Sequence, residues 1–253
     1  MSRWTALLLA GARGPEDPVA KAAGVDFKAF APVAGRPMMA WPLDALAGCG
    51  RVETIHVSLD PTAPDPPAPG VLRRASGASP AQSVLEAFED LGPPLLVTTA
   101  DHALLTPAML DAFLDGVERR GADLCAGVAR REVAERSGRG GRRTWIRFSD
   151  RALSGCNLFA LRTSAAAGAV AFWRRMEALR KRPLAMAMQV GPWTLARYAA
   201  GAMSSTAAER ALSRAFAARA ALVELSDPDA AHDVDAPEDL AFAERRLREL
   251  SPR

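Results

Sequence analysis

The first half of the chain alternates between strand-like and helix-like segments, and this alternation constrains the fold more than any other feature. Trp4–Leu9 and Leu95–Thr99 are short apolar runs, and Val52–Leu59 carries alternating β-branched residues, so each is predicted to be a strand. Between them, Pro37–Ala47 and the segment that starts at Ser79-Pro80 show helix signals. Strands that alternate with helices favour a mainly parallel sheet with right-handed crossovers, so we expect an α/β fold.

The second half continues this pattern with less regular spacing. Ser79 and Gln82 are predicted to form a capping box at the start of their helix, and Arg130–Arg143 is predicted to be a basic, glycine-rich loop. The remaining predicted elements are a helix from Thr106-Pro107, a strand at Asp123–Ala129, short strands at Trp145–Phe148 and Asn157–Leu161 around a Ser154-Gly155-Cys156 turn, helices at Ala165–Arg182 and Trp193–Ala200, a strand at Ala221–Leu225, and a helix at Pro237–Leu250.

Composition excludes several classes of function. The net charge of +3 suits small anionic ligands but is too low to argue for nucleic acid, and one Tyr and nine Phe provide no platform for stacking bases. The three cysteines, Cys49, Cys125 and Cys156, have no metal-ligand spacing, which indicates buried thiols in a reduced compartment. Because the sequence shows no signal peptide and no apolar run of about 18 residues, we expect a cytoplasmic protein.

A small-residue turn follows the first predicted strand. Ala10-Gly11-Ala12-Arg13 places a glycine and a cation directly after the apolar run, and Lys28 follows a polar loop. Glycine lets backbone N–H groups approach a phosphate closely, and the cations neutralise its charge. Since many strand-to-loop turns contain glycine, an ordinary turn remains open as an alternative.

Two aspartates follow predicted strands and are candidates for binding a cation. Asp101 lies just beyond the carboxyl end of Leu95–Thr99, and Asp235 lies in the acidic run that precedes the last helix. Ligands of parallel sheets bind at the carboxyl ends of the strands, and Mg²⁺ takes one or two carboxylates there with phosphates and water. The alternatives are a turn-capping Asp101, and Asp235 as a helix N-cap with Glu238 as its capping-box partner. His102 is either a base or a hydrogen-bonded loop residue.

Three motifs in this order resemble the MobA-like nucleotidyltransferases. They are Leu8-Leu9-Ala10-Gly11-Ala12-Arg13 with Lys28 and Pro32-Val33-Ala34-Gly35-Arg36-Pro37-Met38, then Thr99-Ala100-Asp101-His102-Ala103-Leu104-Leu105-Thr106-Pro107, and then Asp233-Val234-Asp235-Ala236-Pro237-Glu238-Asp239-Leu240. Together they extend over nearly the whole chain. The first loop departs from the family pattern, which usually has Gly-Gly where this chain has Gly11-Ala12 and a later arginine than Arg13.

The resemblance implies a Rossmann-like, three-layer, GT-A-like fold with a mainly parallel central sheet. It implies a single domain over residues 1–253, with a nucleotide-binding half at about 1–130 and an acceptor-binding half at about 131–253. The implied activity is the Mg²⁺-dependent transfer of a nucleoside monophosphate from an NTP to a phosphorylated small-molecule acceptor, with release of pyrophosphate. Mg²⁺ is the implied cofactor, and the NTP and the acceptor are the implied partners.

The resemblance also implies a role for each matching residue. Leu9, Ala10, Gly11 and Ala12 would line the base and ribose. Arg13 and Lys28 would hold the triphosphate and would act in catalysis together with Asp101. The metal would be held by Asp101 and Asp235. Ser79 and Ser83 would belong to a base-side loop, and Asn157 would contact the acceptor.

Other functions remain open at this stage. A glycosyltransferase of related fold that uses a nucleotide sugar would want an Asp-x-Asp motif, whereas this chain has Asp101-His102-Ala103. A non-catalytic nucleotide-binding module is a further alternative. The basic residues of Ala165–Arg182 could meet an anionic acceptor or a membrane surface, although a solvated helix face is the favoured interpretation. The base, the acceptor and the oligomeric state are not specified by the sequence.

Overall fold

The computed structural model describes residues 3–11, 16–138, 144–179, 189 and 191–250. The described strands are β1 (Trp4–Ala10), β2 (Pro32–Val33), β3 (Arg36–Pro37), β4 (Val52–Leu59), β5 (Leu72–Ala75), β6 (Leu95–Thr99), β7 (Leu124–Arg130), β8 (Ile146–Arg147), β9 (Ala152–Leu161) and β10 (Ala220–Leu225). The described α-helices are α1 (Pro18–Ala23), α2 (Ala40–Gly48), α3 (Pro80–Leu91), α4 (Pro107–Arg120), α5 (Arg131–Ala134), α6 (Ala167–Ala178), α7 (Pro192–Ala199), α8 (Ser205–Phe216) and α9 (Pro237–Leu250). Short 3₁₀ helices lie at Lys28–Phe30, Glu135–Ser137 and Ser164–Ala166.

The strands form an eight-stranded sheet with the order β10-β7-β9-β6-β1-β4-β5, and β8 pairs with β9. Parallel pairing joins β1 to both β4 and β6, β4 to β5, and β7 to β10. Strand β9 runs antiparallel to both of its neighbours, β6 and β7. The sheet is therefore mainly parallel, as predicted, with strands from both halves of the chain joined through β9.

Helices cover both faces of this sheet and bury each central strand on two sides. Leu8 packs in the cluster that contains Leu43 of α2 and Leu110 of α4. The neighbouring Leu7 points to the opposite face and packs with Val84 of α3 and with α6. Burial on both faces explains why β1 is a continuous apolar run instead of an alternating one. The three-layer α/β architecture predicted from the sequence is confirmed.

The strand predicted at Trp145–Phe148 is present as β8, but the turn predicted at Ser154-Gly155-Cys156 is wrong. The ten-residue strand β9 passes through this segment and continues into the strand predicted at Asn157–Leu161. Opposite it, the pairing register with β7 shifts between Ala126 and Val128. Asn157 adopts a left-handed conformation with φ of 50°. A bulge of this kind absorbs turn-forming residues without ending the strand, so turn composition alone is misleading here.

Several helix boundaries also differ from the prediction. Helix α2 begins at Ala40, because Pro37 pairs with Pro32 in a separate two-stranded sheet of β2 and β3. The Ser79 hydroxyl accepts a hydrogen bond from the Gln82 N–H as predicted, but the Gln82 amide donates to Glu86 on the next turn.

Three helices were not predicted, namely α1, α5 and α8. Strand β7 matches the strand predicted at Asp123–Ala129 and ends at Arg130. Helix α5 then lies where a loop was expected, and residues 139–143 of that predicted loop are outside the described residues. Helix α6 ends at Ala178, and Arg180, Lys181 and Arg182 of the predicted basic helix are likewise outside them. The cysteines are buried thiols, as predicted. Across the described chain, no helix has the length and apolar character needed to span a bilayer.

Candidate functional site

The candidate site lies where the adjacent parallel strands β1 and β6 end. Strand β1 leads into Gly11, and β6 leads through Ala100 into Asp101. The Ala100 N–H donates to the Leu9 carbonyl at 2.9 Å, so the two strand ends stay paired to their last residues. The glycine turn and Asp101 therefore open onto the same edge of the sheet, as expected for a ligand site of a parallel sheet.

Three charged side chains from distant parts of the chain meet at this edge. The Lys28 Nζ lies 2.7 Å from Oδ2 of Asp101 and 3.2 Å from Oδ1 of Asp235. The Lys28 side chain is only 9% exposed and Asp101 is 15% exposed, whereas Asp235 is 46% exposed. A lysine is rarely this buried without a carboxylate partner, and two partners leave the group with a formal charge of −1. The site is thus suited to attract a further cation.

Backbone contacts hold these three side chains in place. Lys28 begins a 3₁₀ turn in which its carbonyl accepts from the Ala31 N–H at 3.0 Å. The Asp101 carbonyl accepts from the Val234 N–H at 3.0 Å, which fixes the segment that carries Asp235 beside the end of β6. The contact between the two carboxylate-bearing loops is therefore built into the main chain.

The start of the last helix differs from the alternative interpretation of the sequence, in which Asp235 is the N-cap and Glu238 its capping-box partner, because the helix begins at Pro237 and Ala236 directly precedes it. The Asp239 Oδ2 accepts from the N–H groups of Asp235 at 3.1 Å and of Ala236 at 3.0 Å. Asp239 therefore takes the role that was predicted for Glu238, because helix α9 begins at Pro237 and Asp239 is the third helical residue. With Asp239 satisfying the helix start, the Asp235 carboxylate is able to face Lys28.

Asp101 and Asp235 fit a hard divalent cation. The Asp101 Oδ1 is buried, and among the described residues it has no hydrogen-bond partner, while its Oδ2 contacts Lys28. Nowhere in the described residues do three or more His, Cys, Asp or Glu side chains form a closed metal cage. Two carboxylates in an open site match Mg²⁺, which commonly completes its coordination with substrate phosphates and water.

The loop that precedes α3 lies next to the glycine turn. A Cβ placed on Gly11 would lie 3.6 Å from the Ser76 Cβ, so this loop and the end of β1 are in close approach. The Ser83 hydroxyl accepts from the Gly77 N–H at 2.9 Å, and Ser79 caps the helix. Ser79 and Ser83 therefore both order the predicted base-side loop.

The other predicted site residues have less uniform placements. Leu9 is half-buried, Ala10 is buried and Gly11 is exposed at the end of β1, while Ala12 and Arg13 lie outside the described residues. The Asn157 Nδ2 donates to Asp233 Oδ2 at 3.5 Å, so the predicted acceptor residue contacts the loop that carries Asp235.

His102 is 1% exposed and therefore too enclosed to meet a substrate, which favours its interpretation as a loop residue. The His102 carbonyl accepts from the Leu105 N–H at 3.1 Å, in the turn that leads to α4.

Sequence reasoning missed Asp239, and it also missed Glu177, which contacts Ser79 and the Ala81 N–H. The position of Asp239, three residues after Ala236, was a usable signal for a capping role. Glu177 carried no such signal, because its partners lie 98 and 96 residues away.

An apolar cavity of about 420 Å³ lies between the sheet and the helices α6 and α8. Val97, Phe159 and Trp173 are among its lining residues, and none of the described candidate site residues lines it. Its chemistry therefore does not bear on the charged site.

Comparisons with known proteins agree with this fold. A hypothetical transferase structure from Thermus thermophilus is 30% identical with a TM-score of 0.79, and the match covers 95% of this chain and 100% of that one. The 2-C-methyl-D-erythritol 4-phosphate cytidylyltransferase from Thermus thermophilus is 18% identical with a TM-score of 0.54, covering 98% and 100%. The structure of CMP:2-keto-3-deoxy-manno-octonic acid synthetase complexed with CTP is 13% identical with a TM-score of 0.54, covering 99% of both chains.

The last two identities are low, so those likenesses concern the fold alone. No curated protein sequence matches the chain. A family model described as the MobA-like NTP transferase domain matches residues 6–219, which is most of the chain. The protein therefore belongs to the MobA-like NTP transferase family.

Proposed function

We propose that the protein transfers a nucleoside monophosphate from an NTP to a phosphorylated small-molecule acceptor and releases pyrophosphate. The observation that carries this proposal is the Lys28 ammonium, held between Asp101 and Asp235 at the carboxyl edge of the sheet. Family membership supports nucleotidyl transfer as the class of reaction. The fold neighbours include a cytidylyltransferase and a synthetase complexed with CTP, so CTP is the first nucleotide to test.

The proposed reaction needs positioning and charge stabilisation more than covalent help from the protein. An oxygen of the acceptor phosphate forms a bond to the α-phosphorus of the NTP. The bond from that phosphorus to the bridging oxygen breaks, and pyrophosphate leaves with the electron pair. Negative charge develops on the phosphate oxygens, and Lys28 is the described cation placed to stabilise it. No protein nucleophile is required.

Asp101 and Asp235 would hold Mg²⁺ in this proposal. When bound, Mg²⁺ would neutralise triphosphate charge and help to orient the nucleotide. The buried Asp101 Oδ1 and the half-exposed Asp235 supply oxygen ligands on the inner and outer sides of the site. Arg13 remains a proposed triphosphate contact, with Leu9, Ala10, Gly11 and Ala12 along the base and ribose, and Asn157 remains a proposed acceptor contact.

The test is pyrophosphate release by wild type and Asp101→Asn, with each of the four NTPs, Mg²⁺ and a panel of phosphorylated sugars, polyols and sugar acids. Asparagine keeps the shape of the side chain but removes the charge, so we expect the rate to fall by at least about 100-fold. Asp90→Asn is the matched control, because Asp90 is 63% exposed and pairs with Arg74 on the surface.

Circular dichroism and thermal unfolding would establish that both variants fold. Undiminished turnover by folded Asp101→Asn would contradict the proposed role of this carboxylate. Binding of an NTP with no pyrophosphate release for any acceptor would instead support the non-catalytic module. Glycosyl transfer from a nucleotide sugar in the same assay would support the related glycosyltransferase activity.

A further inference from the structure

We infer that Glu177 is a positioning residue for the nucleotide, acting through the N-terminus of α3. This inference rests on the proposed function and adds a residue that no family motif in the sequence indicated. Glu177 lies in α6, in the half of the chain expected to bind the acceptor, yet its carboxylate contacts the loop expected to bind the base. Its Oε2 accepts from the Ser79 hydroxyl, and its Oε1 accepts from the Ala81 N–H at 3.4 Å.

The contact matters because the N–H groups at the start of α3 lack hydrogen-bond acceptors within the helix. The first N–H groups of a helix have no carbonyl within the helix to bond to, and a carboxylate there also interacts favourably with the helix dipole. Ser79 satisfies the Gln82 N–H at 3.2 Å. Glu177 satisfies the Ala81 N–H and holds the Ser79 hydroxyl in the orientation that leaves its oxygen facing Gln82.

Further contacts connect the start of α3 to the predicted nucleotide site. The Gly77 N–H donates to the Ser83 hydroxyl at 2.9 Å, one turn along from Ser79. A Cβ on Gly77 would lie 3.0 Å from the Ser83 backbone nitrogen, so the loop is packed tightly against the helix start. The residue before Gly77, Ser76, approaches Gly11. Glu177, the α3 start and the glycine turn thus form one continuous set of contacts.

The expected consequence is a specific loss of nucleotide affinity. Glu177→Ala would leave the Ala81 N–H without its carboxylate and free the Ser79 hydroxyl to rotate, so the loop would have to be ordered by the nucleotide itself. We expect the KM and the Kd for the NTP to rise about tenfold, as for loss of one hydrogen bond to a charged group. The kcat and the KM for the acceptor should change less than about twofold, because Lys28, Asp101 and Asp235 are untouched.

The experiment measures NTP binding by calorimetry and the two KM values for wild type, Glu177→Ala, Glu177→Gln and the matched control Glu89→Ala. Glu89 is exposed on α3, so its removal changes the same charge without touching the loop. Glutamine keeps an acceptor and a donor at this position, so Glu177→Gln should restore most of the affinity. Ser79→Ala combined with Glu177→Ala completes a double-mutant cycle, in which non-additive effects on Kd are expected for residues that act as a unit.

Two results would overturn the inference. If wild type binds NTP and Glu177→Ala binds it equally well, this inference fails while the proposed function survives. If wild type binds no NTP, both fail. Should Glu177→Ala not fold, Ser79→Ala decides in its place, because it removes the hydroxyl that contacts Glu177, and an unchanged Kd for the NTP would then overturn the inference.

Discussion

Lys28 contacts the same two carboxylates that are proposed to hold Mg²⁺. Its ammonium lies 2.7 Å from Asp101 and 3.2 Å from Asp235, so the lysine and a divalent cation would compete for these oxygens. Removing one partner of a buried charge pair leaves the other uncompensated, which is strongly destabilising. A divalent cation could then take over the role of the lost ammonium.

Lys28→Met is therefore expected to abolish transfer and yet to bind divalent cations more tightly than wild type when no nucleotide is present. Thermal unfolding with and without Mg²⁺ measures this effect. Mg²⁺ should stabilise the variant by about 2 kcal/mol more than wild type, which corresponds to about 4–8 °C for a chain of this size. Lys21→Met is the control, because Lys21 is exposed and pairs with Glu16. Equal Mg²⁺-dependent shifts in all three proteins would contradict the competition.

The sequence was informative about which residues belong to the candidate site, and much less about how they meet. Lys28, Asp101 and Asp235 were predicted from motifs and strand ends. Their mutual contact depends on how a 3₁₀ turn, a strand end and a loop dock, and local patterns carry no information about that docking. The same limit applies to Glu177, whose partners are close only in space.

At the scale of elements, Asp150 supports a helix that was not predicted. Its carboxylate accepts from the Ser205 N–H at 2.8 Å and from the Ser205 hydroxyl at 2.7 Å, at the start of α8. The Ser205 hydroxyl, with further help from the Ser205 N–H and the Arg151 charge, lowers the pKa of Asp150 from 3.8 to about 2. The ionised form is thus favoured by the folded state.

The stability that this carboxylate contributes should be present above about pH 4 and lost as the pH falls towards 2. The folded-state pKa lies below the unfolded value, so unfolding takes up a proton in this window. The free energy of unfolding of wild type should exceed that of Asp150→Asn by about 1 kcal/mol at pH 6, after allowance for solvent screening of a partly exposed group. At pH 2.5 the difference should be much smaller.

Denaturant unfolding at the two pH values provides the measurement. Asp65→Asn is the control, since Asp65 is 90% exposed. A difference between wild type and Asp150→Asn that stays constant down to about pH 2.5 would contradict the assigned role.

Predicted elements matched best where the chain carries explicit start signals. Proline is the first residue of α3, α4 and α9, and all three starts were predicted at that residue, whereas the six-residue α1 also begins with a proline and was not predicted. Helix α8 has no proline there, and its cap, Ser204, bonds to the Ala207 N–H at 3.3 Å without a distinctive pattern. The turn predicted at Ser154-Gly155-Cys156 lies inside strand β9, because this segment pairs with β7, a contact between distant parts of the chain that local composition does not reveal.

At the scale of the molecule, the sheet joins the two halves of the chain. Strand β9 hydrogen-bonds to both β6 and β7, and β10 forms the edge beside β7. The division into a nucleotide-binding and an acceptor-binding half remains a prediction about function. The main sheet, however, contains strands from both halves, and these strands are hydrogen-bonded to one another.

We expect the protein to unfold in one cooperative transition. Tryptophan fluorescence reports on both halves, because Trp4 lies in β1 and Trp173 in α6. Its denaturant curve should coincide with the curve from far-ultraviolet circular dichroism, which is the expected behaviour of a two-state domain. An NTP with Mg²⁺ should move both curves together. Two separated transitions, or a shift of only one probe with nucleotide, would contradict a single cooperative unit and favour two units that fold independently.

The contact between Lys28 and Asp235 has a further consequence for the order in which the protein is made. These residues are 207 positions apart, and Lys28 and Asp101 are 73 apart, so the site has a very high contact order. At a synthesis rate of about 5–20 residues per second, Asp235 follows Lys28 by roughly 10–40 s. The growing chain therefore completes its sheet-forming segments before it can complete its charge cluster. A chain that stops before Asp235 would lack one of the two carboxylates proposed to hold Mg²⁺, so under the proposed function we expect no activity until synthesis has passed Asp235.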